Sequence, residues 1–223
     1  TNIGGIDARV LPGQLVTVHG RSDLPGVVAL PPPFLLPKAN RDGVAPVSEL
    51  LIDTGLPAER LRTQVEIGAL ASFAQPAREL QNGLFTSPRL DNRASLAALT
   101  VCLEALQGRA HAWDVLAVAT VQEELGLQGA AGAAFSLAPD IALAVDVTWG
   151  TDANTREFGY RTFALGGGPT LALGPNIHTG VLQALRAAAE RAEVPATTEL
   201  IWSGQSGTDA AAMQIARAGI PTA

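Results

Sequence analysis

The sequence predicts an α/β fold, a mostly parallel sheet with helices on both faces, preceded by a smaller β-barrel-like domain. Short apolar segments separated by Pro and Gly occupy residues 1–87, a pattern typical of a β-rich domain. Helical and strand-like segments alternate over residues 88–223, as in parallel sheets that are covered on both faces. We therefore predict two domains that meet near Ser87 and Pro88.

Turn residues define the strands of the first domain. Breaks are expected at Pro12-Gly13, Pro25-Gly26, Pro31-Pro32-Pro33 and Asp42-Gly43, and the apolar pieces between them cover 15–18, 26–30 and 50–53. These pieces bring no catalytic constellation with them. The domain is therefore expected to serve packing, assembly or access to a site elsewhere.

Four helices and three strands are predicted in the second domain. The first helix covers 91–106 and has leucines at helical spacing on one face, at positions 96, 99, 103 and 106. The other helices are expected at 127–137, 181–193 and 210–218, and the strands at 114–121, 141–145 and 197–202. The first two strands are continuous apolar runs, so both are predicted to be buried.

Composition limits the classes of function. Hydrophobic residues make up 47% of the 223 residues, which is enough for a well-buried core. The net charge of −6 argues against nucleic acid as a partner. We find no signal peptide and no apolar span of about 20 residues, and so expect a soluble cytoplasmic protein without membrane contact. Cys102 is the only cysteine, which excludes a thiolate zinc cluster, and its apolar helical context predicts a buried thiol.

Carboxylates stand where predicted strands end. Glu123 and Glu124 follow the first predicted strand, Asp146 follows the second, and Asp91 stands at the start of the first helix. Each has an ordinary explanation, because Glu pairs are common on surfaces and Asp is a favoured helix cap. In open α/β sheets, however, sites form beyond the carboxyl ends of strands, and charge beside buried strands costs stability unless it is compensated. Oxygen ligands around a divalent cation would compensate it.

Short motifs then follow one another in the order found in one peptidase family. They are LDNRA at 90–94, VQEELGLQGA at 121–130, VDVT at 145–148 and GTDA at 207–210, with GGIDARVLPG at 4–13 and LIDTG at 51–55 in the first domain. Together they resemble the tetrahedral aminopeptidases, family forty-two of the metallopeptidases, many of which carry the label endoglucanase or cellulase. The resemblance covers essentially the whole chain and implies a zinc-peptidase type of α/β domain.

The resemblance implies two divalent metal ions, most simply Zn²⁺, with Co²⁺ or Mn²⁺ as alternatives. Asp91 would bridge the two ions, Glu124 would bind one of them and Asp146 the other. Two close cations lower the pKa of a bound water and polarise a peptide carbonyl. Glu123, which is not a ligand in this pattern, would act as the general base and pass the proton to the leaving amine.

Activity and assembly are implied in the same way. The expected reaction is the removal of N-terminal residues from peptides, and Thr208 and Asp209 are the candidates for contact with the substrate. Members of the family assemble through the β-rich domain and an edge of the catalytic domain into hollow dodecamers. The chain is therefore expected to form a homo-oligomer.

The family also uses two histidine ligands, which the resemblance locates outside residues 1–223. One belongs to a His-x-Asp motif before the first residue, and the other to an Arg-Tyr-x-His stretch after the last. We therefore expect the chain to be a fragment, truncated at both ends. His19, His111 and His178 lie outside such motifs and are not expected to bind the catalytic metal. Because zinc sites favour nitrogen or sulfur ligands, we expect the fragment alone to be inactive.

Three other functions stay open. A glycoside hydrolase needs two carboxyl groups about 5–10 Å apart across a sugar ring, whereas Glu123 and Glu124 are adjacent and only 4% of residues are aromatic, with Trp113, Trp149 and Trp202 scattered. A non-catalytic scaffold fits a fragment that lacks both histidines. A related zinc hydrolase, such as a carboxypeptidase or deacylase, is favoured less than an aminopeptidase by the Asp-Asn-Arg and Gly-Thr-Asp-Ala sequences.

Overall fold

The computed structural model describes residues 5–36, 38, 43–151, 163–201, 204 and 206–223. Gly4, Asp42 and Trp202, to which the sequence predictions extend, lie outside these residues. The chain contains both helices and sheets and is α/β, as predicted. It divides into two compact units, Thr1–Leu90 and Asp91–Ala223, whereas the sequence predicts the division after Ser87.

An antiparallel sheet is the centre of the first unit. Its elements are β1 (Leu15–His19), β2 (Asp23–Ala29), β3 (Leu51–Asp53), α1 (Ala58–Gln64), β4 (Leu70–Phe73) and the pair β5 (Arg78–Glu79) and β6 (Phe85–Thr86). Single 3-10 turns are found at Ala8–Val10, Pro33–Leu35, Val47–Glu49 and Gln81–Gly83. The main sheet has the order β3-β2-β1-β4, and all of its pairings are antiparallel.

The two faces of β1 differ. Val16 and Val18 are buried, and Val16 packs with Leu11 and Val28 in the core of this unit. Because successive side chains of a strand point to opposite faces, Thr17 and His19 lie on the other face of the sheet. The strand predicted at 15–18 is therefore present as β1.

One predicted turn in this unit is wrong. Pro25 and Gly26 lie within β2, where they pair with Thr17 and Val16 of β1. A Cβ atom at Gly26 would lie 2.7 Å from Ile52 Cγ2, so the glycine allows close contact with the neighbouring strand. The Pro-Gly pair therefore marks a tightly packed position in a strand, which sequence alone does not distinguish from a turn.

The second unit alternates helices with short strands. Its elements are α2 (Leu90–Leu106), α3 (Gln128–Leu137), β7 (Gly150–Thr151), β8 (Phe163–Ala164), β9 (Thr170–Leu173), α4 (Thr179–Arg191), β10 (Thr197–Leu200) and α5 (Ala210–Met213). The pairs β7–β8 and β9–β10 are parallel, and so is an isolated bridge between Ala142 and Thr222. Every strand pairing in the described part of this unit is thus parallel, as the alternation predicts.

Two predicted strands differ from the structure. Residues 114–121 form no strand in the described structure, and Val115, Leu116 and Val121 are 47%, 55% and 66% exposed. Residues 141–145 form only an isolated parallel bridge from Ala142 to Thr222, with Ala142 N–H donating to Pro221 O at 3.0 Å. Ile141, Leu143 and Val145 are 43%, 51% and 46% exposed, so the predicted burial of this strand is wrong. The predicted burial of 114–121 is therefore wrong, because an apolar run does not say whether a partner strand lies beside it.

Small residues form the core of the second unit. Ala134 of α3 packs with Ala142, Ala216 and Ile220, and Val181 and Leu182 are the buried residues of α4. Cys102 on α2 is exposed, so the predicted burial of its thiol is wrong. Within the described residues, no helix has the length and hydropathy that a membrane crossing requires.

Candidate metal centre

Asp91 stands at the start of α2 but outside its regular turns. The backbone angles of Asp91 (φ −79°, ψ 108°) and Asn92 (φ −122°, ψ 50°) are not helical, and the peptide bond between them is cis. The Ser95 N–H donates a hydrogen bond of 3.2 Å to Asn92 Oδ1, so Asn92 caps the helix. The role of helix cap, the ordinary explanation for Asp91, therefore belongs to its neighbour. Asp91 lines a cavity instead.

Glu123 and Glu124 lie in a single 3-10 turn that reverses the chain. The backbone at both ends of this turn is left-handed, with φ of 61° at Gln122 and 107° at Gly126. Glycine adopts such a φ without the steric cost that a side chain adds. The turn brings both carboxylates to the cavity that Asp91 lines.

Asp146 is held by two hydrogen-bond donors. Asn92 Nδ2 and the Val147 N–H each donate to Asp146 Oδ1 at 2.8 Å. Asn92 Nδ2 also donates to Val145 O at 2.9 Å. Asn92 therefore links the start of α2 to Asp146, a role that sequence reasoning missed. The sequence feature that could have indicated this role is the position of Asn92 in the LDNRA motif, next to the candidate ligand Asp91 at the start of a helix.

These carboxylates share one cavity of about 450 Å³. Its lining consists of Asp91, Glu123, Glu124, Gly126, Leu127, Asp146, Val147 and Gly207. The lining includes all four carboxylates that the sequence singles out: Asp91, Glu123, Glu124 and Asp146. Up to 55 positions of the chain separate them. All of the lining residues belong to the second unit.

Burial and mutual repulsion raise the pKa of two of these carboxyl groups. For Glu123, desolvation is the largest cause, followed by the negative charges of Asp146, Glu124, Asp209 and Asp91. For Asp146, desolvation is again the largest cause, and neighbouring carboxylates add to it, while the hydrogen bond from the next N–H acts in the opposite direction. The cavity therefore concentrates negative charge that a cation would compensate.

Thr208 and Asp209, the predicted substrate-binding residues, do not line the cavity. Thr120 Oγ1 donates to Asp209 Oδ2 at 2.6 Å, and Asp209 Oδ1 is buried without a hydrogen-bond partner in the described structure. The hydroxyl groups of Thr208 and Ser206 lie 2.8 Å apart and bond to each other. Within the GTDA motif only Gly207 reaches the cavity, although the charge of Asp209 acts on Glu123.

None of the three histidines lines the cavity. His19 lies in β1, His111 Nδ1 is 2.6 Å from Trp113 O, and His178 Nδ1 accepts a hydrogen bond of 3.4 Å from the Val181 N–H at the start of α4. The side-chain atoms of the lining that could bind a metal ion are therefore carboxylate oxygens.

The carboxylates fit a divalent cation in chemistry, but they do not form a complete coordination shell. Among the described residues, no group of three or more His, Cys, Asp or Glu side chains is close enough together to hold an ion. The carboxylates thus border the same space without converging on one point in it. Carboxylate oxygens are nevertheless ligands that divalent ions accept, and burial, followed by the charge of neighbouring carboxylates, raises the pKa of Glu123 and of Asp146.

Known proteins share both the sequence and the fold. The chain is 33% identical over 225 residues to the lysyl aminopeptidase of Pyrococcus furiosus. This alignment covers 99% of the chain and 64% of the relative. The crystal structure of the TET aminopeptidase from the marine sediment archaeon Thaumarchaeota archaeon SCGC AB-539-E09 superposes with a TM-score of 0.89 at 28% identity, covering 100% of this chain and 64% of that one. The chain thus spans less than two thirds of these relatives.

A third similarity is to the Pyrococcus horikoshii TET1 peptidase, which can assemble into a tetrahedron or a large octahedral shell. The TM-score is 0.76 at 25% identity, and the match covers 95% of this chain and 63% of that one. The similarities in sequence and fold are thus to aminopeptidases and a related peptidase. The family model described as M42 glutamyl aminopeptidase matches residues 1–223. The chain belongs to that family.

Proposed function

We propose that the protein is a metal-dependent aminopeptidase that removes N-terminal residues from peptides. The observation that supports this most is the shared cavity of Asp91, Glu123, Glu124 and Asp146. Membership of the M42 family supports hydrolysis of a peptide bond, and the Pyrococcus furiosus relative is named a lysyl aminopeptidase.

Asp91, Glu124 and Asp146 are the residues that would hold the two divalent ions, since all three line the cavity. Zinc is the first candidate, and cobalt or manganese are alternatives. The two hydrogen bonds on Asp146 Oδ1 orient that carboxylate, as outer groups commonly do for metal ligands. Bound divalent ions would supply the charge that polarises the peptide carbonyl and acidifies the attacking water.

Glu123 is the proposed general base. Desolvation and nearby negative charge raise its pKa. A raised pKa is closer to neutral pH, where a general base transfers protons most effectively. Its carboxylate takes a proton from the attacking water and delivers it to the nitrogen of the leaving amine. Glu124, on the same turn, is left for metal binding.

Asp209 is the proposed contact for the α-ammonium group of the peptide, with Thr208 beside it. The Oδ1 atom of Asp209 is buried and has no hydrogen-bond partner in the described structure. A cationic amine would provide both a donor and a compensating charge. Because neither residue lines the cavity, this contact requires a local rearrangement when the peptide binds.

The protein is further proposed to be a cytoplasmic homo-oligomer in which residues 1–87 serve assembly and residues 88–223 belong to the catalytic domain. The shells formed by the Pyrococcus horikoshii relative support assembly. No contact in the described structure favours glycoside hydrolysis, since the exposed Trp113 and Trp149 form no platform with the carboxylates.

Chelation of the full-length protein is the direct test. We expect hydrolysis of aminoacyl p-nitroanilides to be lost after dialysis against a chelator and restored by Zn²⁺, Co²⁺ or Mn²⁺, because the proposed reaction needs a bound divalent ion to acidify water and polarise the carbonyl. Residues 1–223 alone are expected to be inactive. Chelator-insensitive cleavage of cellulose, or full peptidase activity of the metal-free protein, would contradict the proposal.

A further inference from the structure

A second cluster of reactive side chains lies in the first unit, whereas all residues that line the carboxylate cavity belong to the second. His19 Nδ1 is 2.9 Å from Asp23 Oδ1, and His19 Nε2 is 2.8 Å from Ser72 Oγ. The three side chains therefore form a continuous hydrogen-bonded row from a carboxylate, through an imidazole, to a hydroxyl group. Neither the family match nor the proposed aminopeptidase reaction uses them.

Strand register holds this row together. His19 of β1 is paired with Asp23 of β2, and Ser72 of β4 is paired with Thr17, two residues before His19. Residues paired across strands share a face, and diagonal neighbours on that face are within reach of long side chains. All three residues thus lie on the face opposite Val16 and Val18. Their proximity follows from the pairing of three strands.

The row has a direction. A carboxylate only accepts hydrogen bonds, so neutral His19 carries its proton on Nδ1, where Asp23 accepts it. The other ring nitrogen, Nε2, is then an acceptor, and the Ser72 hydroxyl donates to it. This is the order of roles in the Ser-His-Asp triads of hydrolases, which are recognised by geometry and not by position in a sequence.

We propose that Ser72 is a nucleophilic serine that accepts acyl groups from small activated esters, with His19 as the general base and Asp23 as a positioning residue. Ser72 Oγ forms a bond to the acyl carbon, the bond from that carbon to the leaving oxygen breaks, and the serine proton passes to His19 Nε2. His19 then gives this proton to the departing oxygen or to solvent, which leaves the imidazole neutral for the next step. Water then releases the acid: its oxygen bonds to the acyl carbon, the bond to Ser72 Oγ breaks, and the proton returns to Ser72 through His19.

Exposure determines the class of substrate. The side chains of His19 and Asp23 are 41% and 69% exposed, so a small reagent reaches the row from solvent. A solvated face provides little of the preorganised charge stabilisation that enclosed sites add. Only esters with a good leaving group, such as p-nitrophenyl acetate, are therefore expected to react, and slowly.

Acetylation of the full-length protein tests the proposal. The protein is first treated with a chelator, which silences metal-dependent hydrolysis, and then incubated with p-nitrophenyl acetate. Release of p-nitrophenolate is followed by absorbance, and the acetylated residue is identified by peptide mass spectrometry. We expect a single preferred acetyl group on Ser72 and its loss in S72A.

Two variants separate catalysis from folding. His19→Gln removes the base, and we expect the rate of acetylation at Ser72 to fall by about 10²-fold, the lower range for general-base catalysis. Asp23→Asn keeps a hydrogen-bonding side chain but lets its amide donate to Nδ1, which favours the wrong tautomer. This variant should lower the rate and displace its pH profile while the thermal midpoint stays unchanged.

Ser87→Ala is the matched control, because the Ser87 hydroxyl donates to Pro88 O and meets no imidazole. We expect its labelling pattern to equal that of the wild type. Acetyl groups spread over Lys38, the N-terminus and other serines without preference for Ser72 would overturn the proposal. So would a folded His19→Gln variant that reacts at the rate of the wild type.

Discussion

At the scale of single residues, Asn92 connects helix geometry with the proposed metal centre. Its Oδ1 accepts from the Ser95 N–H at 3.2 Å, and its Nδ2 donates to Asp146 Oδ1 at 2.8 Å. One side chain thus caps the start of α2 and orients a carboxylate that borders the cavity. The two roles use different atoms, so substitutions can separate them.

Asn92→Ser keeps a capping oxygen but removes the amide donor, and Asn92→Asp also adds a carboxylate next to Asp146. We expect the serine variant to lose about 1–3 kcal/mol of unfolding free energy, because the two hydrogen bonds that Asn92 Nδ2 donates to Val145 O and Asp146 Oδ1 are lost. The aspartate variant should lose more, because it places like charges together. Denaturant unfolding of the metal-free proteins measures both, and an aspartate variant as stable as the serine variant would contradict the bridging role.

Substitutions of Glu123 and of Asp91 are expected to affect turnover and metal binding differently. Glu123→Gln should retain metal while turnover falls by at least about 10²-fold, as for loss of a general base. Asp91→Ala should release metal, because it removes a proposed ligand. Metal content by mass spectrometry, measured on full-length protein with Glu104→Gln as a control outside the cavity, distinguishes them. Equal metal content in the two variants would show that this division of roles is wrong.

At the scale of elements, α4 is attached by one narrow face. Leu182 is 2% exposed, whereas the adjacent Gln183 is exposed. Leu182→Ala should therefore lower the free energy of unfolding by about 2–5 kcal/mol, the cost of truncating a buried leucine. Gln183→Ala should change it by less than about 0.5 kcal/mol. Thermal or denaturant unfolding compares the two, and equal midpoints would contradict this packing.

The two helices that flank the carboxylate turn could be predicted well from the sequence, whereas the helix predicted at 210–218 is found only as α5 (Ala210–Met213). The helix predicted at 91–106 is α2 (Leu90–Leu106), and that predicted at 127–137 is α3 (Gln128–Leu137). Local spacing is sufficient for these, since a helix satisfies its own backbone. The strand predicted at 114–121 is not found in the described structure, because strand pairing depends on residues distant in sequence that an apolar run does not report.

The carboxylate residues of the candidate site could be predicted from the sequence, but the side chain that orients one of them could not. Asp146 and Glu123 were found because charge beside apolar runs is costly. Asn92 was not found, because its hydrogen bond to Asp146 spans 54 positions of the chain. The cis peptide bond before it leaves no trace in composition or periodicity. Sequence patterns thus report burial and charge, whereas orientation arises from contacts between distant segments.

At the scale of the whole molecule, the carboxylate cavity should make stability depend on pH. The pKa values of Glu123 and Asp146 are raised, so the folded protein holds these protons more tightly than the unfolded chain. The unfolding free energy of the metal-free protein is therefore expected to fall as pH rises through the interval between the ordinary and the raised pKa.

Unfolding midpoints of the metal-free protein, measured from pH 4 upward, test this expectation. The pKa of Asp7 is lowered to about 2, chiefly by its hydrogen bond with the Arg9 side chain, so its contribution is lost only below that range. Glu123→Gln should flatten the decline, and a divalent ion should raise the midpoint at neutral pH by mass action. A midpoint that rises with pH in the metal-free protein would contradict the cavity electrostatics.

The exposed apolar run 114–121 also has a consequence for how the chain behaves in concentrated solution. Its sequence, DVLAVATV, combines β-branched residues with a single charge and no proline. Segments of this kind form cross-β stacks when they are accessible. Unless another surface covers this run, self-association through it should limit the solubility of residues 1–223. Production of the chain would then be limited by fibril seeding at this segment.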